Sequence, residues 1–194
     1  MSADRNWSGR VFIGVSLDGF IARPGGDIGW LTDPAPGPSH ARIDSDRDAL
    51  DWDTFFPSVD HLVMGRGTYE KVLTFDEWPY DDKRVIVLST TLGTEDSRIT
   101  VVRDLAEAVN VLERAGAREV YVDGGRVIRT FLCADLIDEI TLSWAPILIG
   151  SGLPLFGALD DGVLGADIAL SLQASNASHG GMVHATYRVH RLGA

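Results

Sequence analysis

Three stretches of the chain are continuously apolar: Leu62 to Met64, Val85 to Leu88 and Val120 to Val122. Runs of this length, without polar interruptions, predict strands covered on both faces. Arg10 to Ser16 is rich in β-branched and aromatic residues and predicts a first strand. Ile99 to Val102 predicts a short one. Between these strands the period lengthens. Leu105, Ala108, Val109 and Leu112 lie on one helical face, with Asp104 and Glu107 as a capping pair and Gly116 as the stop. Val127, Ile128, Phe131 and Leu132 predict a second such helix. Ala49, Trp52 and Phe56 predict a third over Asp44 to Phe56, ended by Pro57. After Asp135 the pattern changes to alternation. Ile140, Leu142 and Trp144 alternate with Thr141, Ser143 and Ala145, which predicts a half-buried strand. Ile168 to Leu172 and Met182 to Arg191 follow as strands without a helix between them. The expected class is α/β, a mostly parallel central sheet with antiparallel C-terminal strands.

Composition narrows the partners. The 194 residues favour one domain over 1–194, and 45% apolar content is that of a globular protein with a full core. A net charge of -11 argues against a nucleic-acid backbone or an anionic membrane surface. Cys133 is the one cysteine, so no internal disulfide forms, which fits a cytoplasmic setting. Its position suggests a buried, inert thiol. The N-terminus has no apolar signal core, and no apolar run is long enough to span a bilayer. No zinc-ligand spacing is present, and His184 and His190, on one face of the last strand, read as an exposed or edge face and not a metal site.

The candidate chemistry sits at the strand ends. His61 to Glu70 reads as strand, glycine corner, helix, with Gly65 and Gly67 allowing close approach and Arg66 and Thr68 at the helix start. Asp123-Gly124-Gly125-Arg126 is a second such corner. Ser89, Thr90 and Thr91 put three hydroxyls at the carboxyl end of another strand, where open α/β sheets bind ligands. Together they predict a phosphate-binding site. Arg23 to Trp30, with three glycines, reads as a loop that is either a lid closing Trp30 over a ligand or a surface turn with Trp30 in the core.

Ser16 to Ala22, Val63 to Glu70, Val87 to Thr90, Val122 to Val127 and Pro146 to Phe156, in this order, resemble the dihydrofolate reductase-like superfamily. They are most similar to the reductase domain of bacterial riboflavin biosynthesis and its stand-alone relatives. The resemblance implies a three-layer fold with helices on both faces and an NADPH-dependent reductase that delivers hydride to a C=N or C=O group. It implies cofactor contacts from Gly65, Arg66 and Thr68, from Leu88, Ser89 and Thr90, and from Gly124, Gly125, Arg126 and Val127. Ile21, Ala22, Asp27 and Ile28 would cover the nicotinamide. Arg66, Thr90 and Arg126 would surround the extra phosphate of NADPH. A proton-donating carboxylate is expected on the helix before the Met64-Gly65-Arg66 strand, which points to Asp51 or Asp53. A phosphorylated substrate would call for a further cation, Arg42 or Arg47. The zinc deaminase half of bifunctional riboflavin enzymes is absent from the sequence. The substrate is expected to be a small heterocycle of pyrimidinone, pterin or riboflavin-precursor type, and the protein a homodimer. Two other classes remain open: an NADP(H)-binding sensor or regulatory module without turnover, and a scaffold that self-associates through the last strand.

Overall fold

The computed structural model describes residues 5–32, 49–93, 95–157, 167–178 and 180–190. The proline-rich stretch after Thr32, and with it Arg42, Arg47 and the start of the helix expected from Asp44, lies outside these residues. Strand β1 (Ser8–Ser16) leads into the short β2 (Phe20–Ala22) and helix α1 (Gly29–Thr32). Helix α2 (Trp52–Ser58), strand β3 (His61–Gly65) and helix α3 (Arg66–Val72) follow. Then come β4 (Arg84–Leu88), β5 (Ile99–Val102), α4 (Leu105–Ala115), β6 (Glu119–Asp123) and α5 (Gly125–Cys133). The chain continues through β7 (Glu139–Ala145), β8 (Leu153–Pro154), β9 (Leu170–Ala177) and β10 (Val183–Val189).

Among the described residues, eight strands form one sheet in the order β5-β4-β3-β6-β1-β7-β10-β9, and β2 pairs with β8 in a second, two-stranded sheet. The pairs from β5 to β7 are parallel, and β10 runs antiparallel to both β7 and β9. The continuous apolar runs divide by period two between two cores. Val63, Ile86, Val120 and Val122 face one side, where Ala108 and Leu112 of α4 and Ile128 and Phe131 of α5 cover them. Leu62, Met64, Val85, Val87 and Tyr121 face the other, under Phe55 of α2 and Tyr69 and Val72 of α3. Each strand is therefore covered twice, which is why polar residues are missing from it.

The helix before β3 is shorter than predicted. It starts at Trp52 with Asp51 as its N-cap, Phe55 is its buried residue, and Pro57 lies inside its last turn. The apolar face read from Ala49, Trp52 and Phe56 is displaced by one position: Phe55 is the fully buried residue, while Trp52 packs edge-on against Phe12 and Tyr121 and stays 39% exposed. Strand β7 is not half-buried. Thr141 and Ser143 are as deeply buried as Ile140, because β1 and β10 flank it and both its faces are covered. Cys133 is exposed, on the outward side of the last residue of α5. Trp30 is tucked into the interior. The face predicted as exposed on β10 divides: Thr186 is buried against Thr141 and half-buried His184 meets the Ser143 hydroxyl at 2.8 Å, whereas Arg188 and His190 are exposed. No helix among the described residues is long and apolar enough to cross a membrane.

Candidate active site

Strands β3 and β6 are neighbours, yet the helices that follow them depart to opposite faces of the sheet. Tyr69 and Val72 put α3 in one core, while Val127, Ile128 and Phe131 put α5 in the other. Such a divergence opens a crevice beyond the carboxyl ends of the strands. Here the two glycine corners meet across it. Gly124 has φ 86°, a left-handed conformation that disfavours side chains, and a Cβ there would lie 2.5 Å from Thr68 Oγ1. Gly65 has an ordinary extended backbone, so its glycine is not required by the turn. A Cβ at Gly65 would instead lie 3.3 Å from Val127 Cγ2. Thr68 sits over Gly124 and Val127 over Gly65, a reciprocal contact between two corners 59 residues apart counted from Gly65 to Gly124.

The crevice continues into a cleft of about 490 Å³. Phe12 of β1, Trp52 of α2, Tyr80 and Tyr121 supply aromatic walls, and Ile21, Ile28, Leu31 and Leu153 close the other side. This second side is a pair of loops held by two polar anchors. Ser16 Oγ donates to Asp18 at 2.6 Å, and the Asp18 carboxylate accepts the Ile149 and Gly150 amides at 3.2 and 2.7 Å. The Ser16 hydroxyl, together with these amides, lowers the Asp18 pKa against the opposing effect of burial. Buried Arg129 donates to the Pro154 and Leu155 carbonyls at 2.9 and 2.7 Å. The β2–β8 pair is thus fixed from both sides.

Asp123 lies on the floor of the cleft, next to Gly124. Burial pushes its pKa up to about 6, against the opposing pull of the Gly124 amide and the Tyr121 hydroxyl. The Tyr121 hydroxyl donates to the Phe12 carbonyl at 2.9 Å. A carboxyl group that stays partly protonated near neutral pH can donate a proton. A second depression, of about 510 Å³, lies at the opposite ends of the strands, among Arg10, Glu119 and Glu139. There Arg10 is held by its acids, 2.7 Å from Glu139 and 3.6 Å from Glu119.

Of the residues singled out for a cofactor, Ile21, Ala22, Ile28, Thr68 and Gly124 line the cleft. Gly65 and Val127 form the contact behind it, and Gly125 is buried beside the Pro154 carbonyl. Asp27 is turned to its own loop, where it accepts from Arg23 and from the Gly29 amide at 3.0 and 2.8 Å. Leu88 ends β4, and Ser89 and Thr90 follow it in a turn where Ser89 Oγ accepts the Thr91 and Leu92 amides. Arg66 reaches this strand end through Thr91, not Thr90, at 2.9 Å, and also bonds Glu70 at 2.6 Å. Arg126 is exposed on the first turn of α5. Arg103 had no signal in the sequence, yet it donates to the Ser89 and Leu92 carbonyls at 2.8 Å each and so flanks the same turn.

The expected acids fall elsewhere. Asp51 is exposed and accepts the Thr54 amide at 2.7 Å as the cap of α2, and Asp53 is exposed on the first turn. Neither lines the cleft, whereas Trp52 between them does. A helix places consecutive side chains about 100° apart, so the residue that faces the cleft turns its neighbours away. Asp123 went unread as an acid. Its signal was a charged residue at the end of an otherwise apolar strand, directly before two glycines.

The fold is that of the dihydrofolate reductase-like proteins. Dihydrofolate reductase from Enterococcus faecalis, solved in complex with NADP(H), matches with a TM-score of 0.64 at 15% identity, over 95% of this chain and 96% of that one. More specifically, the chain belongs to the RibD C-terminal domain family, whose model matches residues 8–183. A Shewanella sp. PV-4 protein provisionally named for riboflavin biosynthesis has 35% identity and a TM-score of 0.77, covering 95% of this chain and 99% of that one. The uncharacterized protein YwjB of Bacillus subtilis is 34% identical over 154 residues, 77% of this chain and 82% of its own. The family and the fold support a reductase-like role.

Proposed function

We propose that the protein is an NADPH-dependent reductase of a small heterocyclic substrate. The observation that carries this reading is the contact of Thr68 with Gly124, which joins two glycine corners directly beside Asp123. The residues present fit a dinucleotide. Gly124, the N-cap of α5, has no side chain to occupy the first amides of that helix, and any Cβ there would fill the crevice. Arg66 and Arg103 converge on the Ser89–Leu92 turn and are suited to a further phosphate there. Bound NADPH would supply the hydride. The chain's own part is threefold. Thr68, Gly124 and Gly125 hold the cofactor's polar groups, with Leu88, Ser89 and Thr90 at its outer end. Phe12, Trp52, Tyr80 and the anchored β2–β8 pair exclude water and orient a flat ring. Asp123, protonated below about pH 6, donates through its carboxyl O–H to the nitrogen or oxygen of the reduced bond. A homodimer belongs to the same proposal. The sheet ends in β9, an edge strand with exposed Leu170 and Leu172, and edges of that kind favour pairing.

Titration with NADPH and with NADH, followed by tryptophan fluorescence, tests the cofactor. Trp52 in the cleft wall is the expected reporter. Tight NADPH binding, at least tenfold weaker NADH binding and a loss of that preference in Arg66→Ala support the reading; binding of neither nucleotide overturns it. NADPH oxidation with pterin or pyrimidine acceptors then separates a reductase from a nucleotide-binding module without turnover.

A further inference from the structure

We propose that Arg129 is a positioning residue of the cleft: it touches neither cofactor nor acceptor, and acts by keeping Ile21 and Leu153 closed over the first turn of α5. This rests on the reductase reading and deepens it, since it names the group that ties the cofactor corner to the wall beside it. Arg129 does not line the cleft, whereas Ile21, Ala22 and Leu153 do. Its side chain is buried, and a single nitrogen, Nη1, donates to both the Pro154 and the Leu155 carbonyls. Pro154 ends β8, which pairs with β2. The Leu155 amide in turn donates to the Gly19 carbonyl at 3.0 Å, directly before β2. Strands β8 and β2 are two and three residues long, too short to hold a fixed place by their own ladder. One guanidinium therefore sets the place of both.

That place is the start of α5. Arg129 follows Gly125 by four residues, so both lie on one face of the helix. A Cβ at Gly125 would lie 3.0 Å from the Pro154 carbonyl oxygen, 3.2 Å from Ile21 Cδ1 and 3.4 Å from Arg129 Nη1. Helix, carbonyl, cleft wall and guanidinium thus meet at one point, next to Gly124 of the cofactor corner. The charge makes this contact a latch. Burial lowers the Arg129 pKa, and the nearby Arg126 cation adds to this. Among the described residues no carboxylate pairs with Arg129. A buried cation without a carboxylate is costly unless its donors are satisfied, and here the two carbonyls satisfy them through charge-assisted bonds. Drawing the β2–β8 pair away from Gly125 would break both bonds and leave the cation bare, so the open wall is disfavoured twice.

The test is hydrogen exchange, read by mass spectrometry on the full-length protein with and without NADPH. Arg129→Met is expected to speed exchange of the β2 and β8 peptides about tenfold, with β3 and β4 within about twofold of the wild type. Bound NADPH reports the same opening: acrylamide should quench its nicotinamide fluorescence about threefold more strongly in Arg129→Met than in the wild type. Arg129→Lys keeps a charged donor and should restore part of both readings. Should Arg129→Met not fold, Arg129→Gln, which keeps a donor without the charge, gives the same two readings. Leu112→Ala loosens the core under α4, far from the pair in sequence, and is expected to lower the melting temperature while moving neither reading. Exchange of β2 and β8 that stays at the wild-type rate in the Arg129 variants overturns the proposal. So does an equal effect from Leu112→Ala, since general destabilisation would then account for it. Failure of the wild type to bind NADPH would instead remove the reductase reading, while exchange in the free protein still decides whether Arg129 holds the pair.

Discussion

Thr68 Oγ1 occupies the space that a side chain on Gly124 would need, 2.5 Å from the position of its Cβ. The residue that closes one corner thus dictates the absence of a side chain in the other. Gly124→Ala combines this clash with an unfavourable φ of 86°. It is expected to cost roughly 2–4 kcal/mol of stability and at least tenfold in NADPH affinity. Adding Thr68→Ala removes the hydroxyl and leaves the Thr68 Cβ at 3.7 Å, an ordinary contact. The double variant should therefore regain part of the stability, leaving about 1 kcal/mol of backbone strain. Additive losses in a double-mutant cycle by urea unfolding would show that the two residues are not coupled.

Asp123 sets the pH dependence. Its folded pKa of about 6 lies above the ordinary carboxyl value of 3.8, so the folded state binds this proton more tightly than the unfolded chain does. Its contribution to stability is fully present below about pH 4 and is lost as pH rises through 6. Asp123→Asn should thus stabilise the protein more at pH 7.5 than at pH 4, by a difference on the order of 2–3 kcal/mol. Urea unfolding at the two pH values measures it; a difference of the opposite sign would reject the burial of this carboxyl.

Turnover should follow the same proton. With any acceptor that supports NADPH oxidation, kcat/KM should fall about tenfold per pH unit above pH 6, and Asp123→Asn should lower it at least 100-fold and flatten the profile. A wild-type profile that is flat from pH 5 to 8 would remove Asp123 from the reaction.

Asp51 is a cap in this structure. Asp51→Ser keeps a side-chain acceptor for the Thr54 amide, while Asp51→Ala removes it. The serine variant should keep turnover within about twofold and melt above the alanine variant. Turnover lost equally in both, with melting unchanged, would return Asp51 to the chemistry.

Cys133 is exposed, so native protein should react with Ellman's reagent at a rate within about tenfold of a free thiol. Reaction only after denaturation would place the thiol inside.

Much of the molecule was legible along the chain. Strands β3, β4 and β6 announced themselves because both faces of each are covered, which leaves no room for polar residues. Helix α4 was legible because its cap Asp104, its stop Gly116 and its apolar face are all local in sequence. Both glycine corners were read as one site for the same reason: glycine before a helix has a local cause. What failed was decided at a distance. The part-exposed place of Trp52 in the cleft wall and the capping role of Asp51 depend on how α2 meets β1 and β6, and the burial of Thr141 and Ser143 depends on β10 returning beside β7. Cys133 and Asp123 went the opposite way to their local signals, the thiol outward and the carboxyl inward, because exposure is set by what other elements cover. The sequence by itself determined the elements, the layers and the two corners. Only the tertiary structure decided that Thr68 closes on Gly124, which acid lies in the cleft and which arginine holds the β2–β8 pair over α5, since each of these is a contact between segments far apart in the chain.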